Sequence, residues 1–131
     1  MEISVSQAQA KVPVTVFHIK GDLSAEEPLL SQAKEAHQSG ARNILIDLSE
    51  SDYMSSAGLR AIHAMFELLR SSSPQESKDS IKKGISAGTF TSPHLKLLKP
   101  NKHISDVLKT AGYDMFLEIY QDYNKAIASY G

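Results

Sequence analysis

Cysteine is absent from the 131 residues of the chain. Its absence excludes disulfide bonds, thiolate catalysis and zinc sites built on cysteine. A surplus of one charge is also lacking, because fourteen Lys and Arg residues balance fifteen Asp and Glu residues, for a formal net charge of −1. We therefore expect no direct binding of nucleic acid and no electrostatic attachment to an anionic membrane.

Long hydrophobic runs are missing as well. No apolar stretch approaches the ~20 residues that a transmembrane helix needs. The first residues, Met-Glu-Ile-Ser-Val-Ser, have neither the basic start nor the apolar run of a signal peptide. These absences predict a cytoplasmic protein without a membrane span, and the length predicts one domain over residues 1–131.

The signature motifs of common enzymes are absent too. The sequence contains no glycine-rich phosphate loop, no dinucleotide-binding glycine fingerprint and no Gly-x-Ser-x-Gly nucleophile elbow. No two histidines have the spacing of a metal-binding pair on a helix. We predict no enzyme, no catalytic residue, no metal site and no cofactor. The histidines concerned are His18, His37, His63, His94 and His103.

The hydrophobic pattern that is present predicts an α/β fold. Two strands, at residues 2–8 and 12–19, would form an antiparallel hairpin. Strands and amphipathic helices then alternate, so the predicted order is β-β-α-β-α-β-α-β-α, with about five strands in a mixed sheet and about four helices. The remaining predicted strands are 43–48, 94–98 and 115–120, and the helices end near residues 38, 70, 110 and 130.

Two details of this prediction concern single elements. Ser24 and Glu27 have the spacing of a capping box at the start of the first helix, and Gly40 would end that helix. The segment Ser71–Pro93 fits no element, since it contains seven serines, three lysines, two glycines and two prolines. That composition predicts a mobile loop inserted into the domain.

The segment Asn43–Ile62 carries the strongest functional signal. It predicts a buried strand, a polar turn and the start of an amphipathic helix, with Ser55 and Ser56 at the junction. The backbone N–H groups at a helix N-terminus favour negative charge, including a phosphate. A phosphorylatable switch is one interpretation. The alternative is a plain structural one, in which Ser56 only caps the helix, since serine is also a favoured helix N-cap.

Three segments of the chain resemble the STAS domain family, which includes bacterial anti-sigma factor antagonists. Asp47–Leu59 (Asp-Leu-Ser-Glu-Ser-Asp-Tyr-Met-Ser-Ser-Ala-Gly-Leu) is similar to the family's central motif. Gly21–Ser24 resembles its turn after the second strand, and Leu95–Tyr120 resembles its C-terminal strand-helix-strand unit. The resemblance covers the chain except Ser71–Pro93 and implies a single STAS-like domain.

The resemblance also implies a function, that of an anti-sigma factor antagonist in a partner switch. Aligned with the family motif, Ser56 is the residue that would be phosphorylated. The enzyme would be an anti-sigma factor that is also a serine kinase, and a serine phosphatase would reverse the modification. Unmodified protein would bind the kinase and free its client; the added charge would end that binding. The implied partner-binding residues are Asp22, Ser24, Ser55, Ser56, Ala57, Gly58, Leu59, Arg60 and His63.

Two residues depart from the family pattern and keep alternatives open. Ser55 and Ser24 each stand where the family has an aspartate. With fewer carboxylates beside the acceptor, the chain could instead be a non-phosphorylated scaffold or docking module. A nucleotide- or small-ligand-binding domain that uses the same helix N-terminus is the third interpretation. The sequence is also compatible with a homodimer.

Overall fold

The computed structural model describes residues 2–71 and 92–130, except for the side chain of Ser71. The element order predicted from the sequence is confirmed. The strands are β1 (Glu2–Gln9), β2 (Pro13–Lys20), β3 (Ile44–Glu50), β4 (Leu95–Leu98) and β5 (Glu118–Tyr120). Within the described residues the helices are α1 (Glu27–Gln38), α2 (Ser56–Ser71), α3 (Lys102–Thr110) and α4 (Tyr123–Ala128), and a 3-10 turn spans Tyr113–Met115.

The five strands form one mixed sheet in the order β1-β2-β3-β4-β5. β1 pairs antiparallel with β2, from Glu2 opposite Lys20 to Gln9 opposite Pro13. The other neighbours pair in parallel, so a helix connects each strand to the next. The loops that follow β2, β3 and β4 consequently meet at one edge of the sheet.

The central strands β2, β3 and β4 are buried on both faces, whereas most residues of the edge strand β1 are exposed. One face packs under α1, α2 and α3, through strand residues such as Phe17, Ile46 and Leu97. On the other face α4 and the residues after it cover Val14 and Leu45, among others. The apolar run of β3 therefore belongs to a central strand buried on both sides, as its sequence predicts.

The capping-box prediction for α1 was wrong. Glu26 occupies the N-cap position without a side-chain hydrogen bond, and the helix begins at Glu27, so Ser24 lies outside it. The reason is tertiary: Leu23 forms a parallel bridge with Met54, which holds the residues around it extended along the next loop. The predicted helix stop is confirmed, because Gly40 follows the C-cap with a φ of 110°.

The last strand is shorter than predicted. Gly112 has a φ of 80° and leads into the 3-10 turn, whose Tyr113 carbonyl accepts a hydrogen bond from the Leu117 N–H (3.0 Å), so pairing starts only at Glu118. The loop predicted at Ser71–Pro93 falls mostly on residues 72–91, which lie outside the described residues, and stays a prediction. Among the helices that the structure describes, none combines the length and the apolar character needed to cross a membrane.

Candidate functional site

The loops after β2 and β3 lie side by side at the carboxyl edge of the sheet. The Leu23 N–H donates to the Tyr53 carbonyl (2.8 Å), and the Ser55 N–H donates to the Leu23 carbonyl (3.0 Å). These bonds bring the loop that contains the exposed residues Asp22 and Ser24 next to the start of α2. Two segments that are far apart in the sequence thus form one surface.

Ser55, and not Ser56, caps α2. The Ser55 Oγ accepts a hydrogen bond from the Ala57 N–H (3.2 Å), and the Ser55 carbonyl accepts the first helical bond from the Leu59 N–H (3.1 Å). Ser56 is the first helical residue and is exposed. Its hydroxyl makes no hydrogen bond to any part of the chain that the structure describes. The structural role open to a serine here is therefore filled by Ser55, and the Ser56 hydroxyl faces solvent.

Gly58 marks a close approach of α2 to the loop after β2. It is buried, and a Cβ atom at this position would lie 2.5 Å from the Leu23 carbonyl oxygen. The same atom would lie 2.9 Å from the Cγ atoms of Leu23 and Met54. A side chain does not fit there, so glycine allows the two loops and the helix to pack together.

The outer side of α2 is charged. Arg60 and His63 are exposed; the Arg60 Nε lies 3.5 Å from the Glu26 Oε2, and the His63 Nε2 lies 4.0 Å from the Glu67 Oε1. Leu59 is half-buried, and its carbonyl accepts a hydrogen bond from the Tyr113 hydroxyl (3.0 Å). The predicted partner-binding residues thus differ in exposure. Asp22, Ser24, Ser56, Arg60 and His63 are exposed; Ser55, Ala57 and Leu59 are half-buried; Gly58 is buried.

Three residues at this edge were missed by the sequence analysis. The Tyr53 ring stacks on the His103 ring with 5.1 Å between centroids, and Tyr53 remains 44% exposed. Asn101 caps α3 by accepting the Ile104 N–H (2.8 Å) and donates to the carbonyls of Ser51 and Asp52. A large aromatic residue inside a polar turn could have singled out Tyr53. No local signal in the sequence pairs it with His103.

A charged cluster lies where β2 and β3 end. The His18 Nδ1 lies 2.9 Å from the Asp47 Oδ2, and the His18 Nε2 lies 3.3 Å from the Glu50 Oε1. The hydrogen bond to Asp47 raises the pKa of His18 above its ordinary 6.5. Burial alone would raise the pKa of Asp47, but hydrogen bonds from the Ser49 N–H and from His18 outweigh it and hold that pKa below 3.8.

This cluster predicts a pH-dependent stability. Because the pKa of His18 is raised in the folded state, protonated His18 stabilises the fold, fully below about pH 6.5. This contribution is lost as the pH rises through the folded-state pKa. Because the pKa of Asp47 is lowered in the folded state, ionised Asp47 stabilises the fold above about pH 4, and this contribution is lost in stronger acid. Urea unfolding of the wild type and of His18→Gln should therefore differ more at pH 6 than at pH 8, by about 0.5 kcal/mol for a partly exposed pair. An equal difference at both pH values would contradict this assignment.

The described residues also bear on the ligand-binding interpretation. Within residues 2–70 and 92–130, no group of three or more His, Asp or Glu side chains is placed to hold a metal ion. A groove of about 690 Å³ lies between the β1–β2 hairpin and the end of α1, away from Ser56. A smaller one of about 320 Å³ separates α2 from α3, with Leu59, His103 and Val107 in its lining. Neither groove is lined by Ser56.

Comparison with solved structures shows that this architecture is similar to that of several anti-sigma factor antagonists. SpoIIAA in its unphosphorylated form superposes with a TM-score of 0.60 at 13% identity, over 95% of this chain and 93% of that one. The Bacillus cell fate determinant SpoIIAA in its phosphorylated form gives 0.63 at 16% identity, over 96% of both chains. An anti-sigma factor antagonist from Mycobacterium paratuberculosis gives 0.64 at 18% identity, over 98% of this chain and 93% of the other. At these identities the similarity shows a common fold.

Sequence comparison identifies the family. No curated protein matches the chain by sequence. The family model of the STAS domain matches residues 6–74, just over half of the 131 residues, including Leu23, the whole β3–α2 junction and Gly58. The five-stranded mixed sheet agrees with that match. The chain therefore belongs to the STAS domain family.

Proposed function

We propose that the protein is a partner-switch antagonist that binds an anti-sigma factor with serine kinase activity. The kinase would transfer the γ-phosphoryl group of ATP to the Ser56 Oγ, which loses its proton, and a serine phosphatase would hydrolyse the ester. The observation that carries this proposal is the exposed hydroxyl of Ser56, which has no structural role because Ser55 caps the helix. The protein itself would catalyse nothing and would act in the bacterial cytoplasm, where sigma factors direct transcription.

Charge explains how such a modification would control binding. A phosphoserine adds about −1.5 to −2 charges at neutral pH. At the first residue of α2 the backbone N–H groups tolerate that charge in the isolated protein. In a complex the phosphate would lose its hydration at the interface. Its desolvation and its repulsion of acidic groups on the partner would then dissociate the complex.

The contact surface follows from which residues are exposed around Ser56. Asp22 and Ser24 lie on the loop beside it, and Arg60 and His63 lie along the outer side of α2. Ala57 and Leu59 offer half-buried apolar contacts, whereas Gly58 would contribute by holding the two loops together. We add Tyr53 and His103, whose exposed stacked rings border the same edge.

Ser55 in place of the family aspartate changes charge more than structure. Aspartate and serine cap helices about equally well, so α2 begins in the same way with either residue. The substitution removes a carboxylate beside the acceptor hydroxyl. We expect it to affect how a kinase recognises Ser56 and to leave the geometry of the acceptor unchanged.

The proposal predicts opposite effects of two substitutions at Ser56. Ser56→Asp should weaken binding of the cognate kinase at least about tenfold, because a fixed negative charge is then desolvated in the interface. Ser56→Ala should bind like the unmodified wild type and accept no phosphate. Surface plasmon resonance with the immobilised kinase measures both affinities, and mass spectrometry after incubation with ATP locates the phosphate.

The scaffold and ligand-binding interpretations give different results in the same experiments. A docking module would bind its partner equally well as wild type and as Ser56→Asp, and ATP would leave it unmodified. A nucleotide-binding domain would release or absorb heat with millimolar ATP or GTP in the absence of any partner. Phosphate on a serine other than Ser56 would overturn the assignment of the acceptor.

A further inference from the structure

We propose that, when Ser56 is phosphorylated, the ion pair between Arg60 and Glu26 breaks and Arg60 binds the phosphate instead. This inference rests on the proposed phosphorylation of Ser56 and adds a phosphate-binding residue within the chain. The unmodified structure holds Arg60 in an ion pair, with 3.5 Å between its Nε and the Glu26 Oε2. Both side chains are solvent-exposed, Arg60 at 62% and Glu26 at 39%.

The helix geometry places Arg60 within reach of the modified serine. Ser56 and Arg60 are four residues apart on α2, and residues at this spacing are neighbours on a helix surface. A guanidinium group pairs with a phosphate through two parallel hydrogen bonds, which are stronger than one contact to a carboxylate. An exposed pair such as Arg60–Glu26 is weak, so little opposes the exchange.

The exchange would alter the surface beside the switch. Glu26 is the N-cap residue of α1 and lacks a side-chain hydrogen bond of its own, so its interaction with Arg60 links α1 to α2. When Arg60 turns to the phosphate, Glu26 loses its counter-charge and faces a dianion. The loop that carries Asp22 and Ser24 ends at this residue, and it would be repelled from the start of α2. Phosphorylation would thereby change the contact surface on the β2–α1 loop as well as at Ser56.

The second pKa of the phosphate, near 6 in phosphoserine, reports this contact directly. Phosphoserine is incorporated at position 56 during translation, so that no kinase is needed, and the phosphorus resonance is followed by NMR between pH 4 and 8. A nearby guanidinium favours the dianion, so Arg60→Gln should raise this pKa by about 0.3 pH unit. The matched control is Arg70→Gln at the far end of the same helix, where Arg70 pairs with Glu67, and it should leave the phosphate pKa unchanged.

Glu26 provides the second arm of the experiment. Glu26→Gln should lower the phosphate pKa in the presence of Arg60 and have less effect in combination with Arg60→Gln, because the two acidic groups compete for one cation. Equal phosphate pKa values in the Arg60→Gln and Arg70→Gln chains would overturn the inference, as would an Arg60 Nε resonance that phosphorylation does not shift. A kinase that fails to modify Ser56 would instead count against the proposed function alone.

Discussion

Gly58→Ala should lower the free energy of unfolding by about 2 kcal/mol. The added Cβ would meet a backbone oxygen at 2.5 Å, that of Leu23, and two side-chain carbons at 2.9 Å. A carbonyl held by the Ser55 N–H cannot simply rotate away, so the loop after β2 must move. The gain in helix propensity, about 1 kcal/mol, offsets only part of this cost. Urea unfolding monitored by circular dichroism measures the difference.

The same substitution should also weaken partner binding, because the loop it displaces carries Asp22 and Ser24. Ser56→Ala is the matched control two residues earlier in the same helix. It removes a hydroxyl that makes no hydrogen bond within the described residues, so its effect on stability should be within about 0.5 kcal/mol. If Gly58→Ala unfolded at the same urea concentration as Ser56→Ala, the close approach of Leu23 to α2 would be wrong.

Tyr130→Ala should destabilise the fold more than Gly58→Ala, by about 3–5 kcal/mol. Tyr130 follows α4 and is 1% exposed. Its hydroxyl donates to the Ile44 carbonyl (2.6 Å), and the Lys96 Nζ lies 4.7 Å from the centre of its ring. Loss of the ring leaves a cavity over the second face of the sheet and takes an aromatic neighbour from a buried ammonium group.

Two further substitutions serve as controls, one for the Tyr130 hydroxyl and one for the loss of another tyrosine from the same segment. Tyr130→Phe keeps the ring and should cost only about 1 kcal/mol, the value of a buried hydrogen bond. Tyr123→Ala removes a tyrosine that is 39% exposed at the start of α4 and should cost less than Tyr130→Ala. Thermal unfolding by calorimetry ranks the three variants. Equal losses for the two alanine variants would contradict the larger contribution assigned to the buried Tyr130.

The family motif allowed the candidate site to be predicted in part. Strand, turn and helix start at Asn43–Ile62 follow from local patterns, and the exposure of Ser56 agrees with that prediction. Local patterns did not decide which of the two serines caps the helix, because serine is an equally good cap at position 55 or 56. That choice depends on the bond from the Ser55 N–H to the Leu23 carbonyl, which joins residues far apart in the chain.

Lys96 shows the same limit in the core. As a lysine in a short strand it suggests an exposed edge, yet it is 3% exposed. Its ammonium group donates to the Ser129 Oγ (2.9 Å) and lies near Glu118 and the ring of Tyr130. Glu118 lies opposite Lys96 on β5, whereas Ser129 and Tyr130 belong to the C-terminal segment that covers the second face of the sheet.

The sequence by itself determined the order of the elements, the central position of β3 and the apolar side of α2, because the repeat of side chains along a strand or a helix is a local property. Only the tertiary structure decided that Leu23 lies against Gly58, that Ser24 is no helix cap, and that Tyr130 closes the second face of the sheet. Each of these contacts joins distant parts of the chain, and its energy depends on shape and distance after folding, which no local pattern contains.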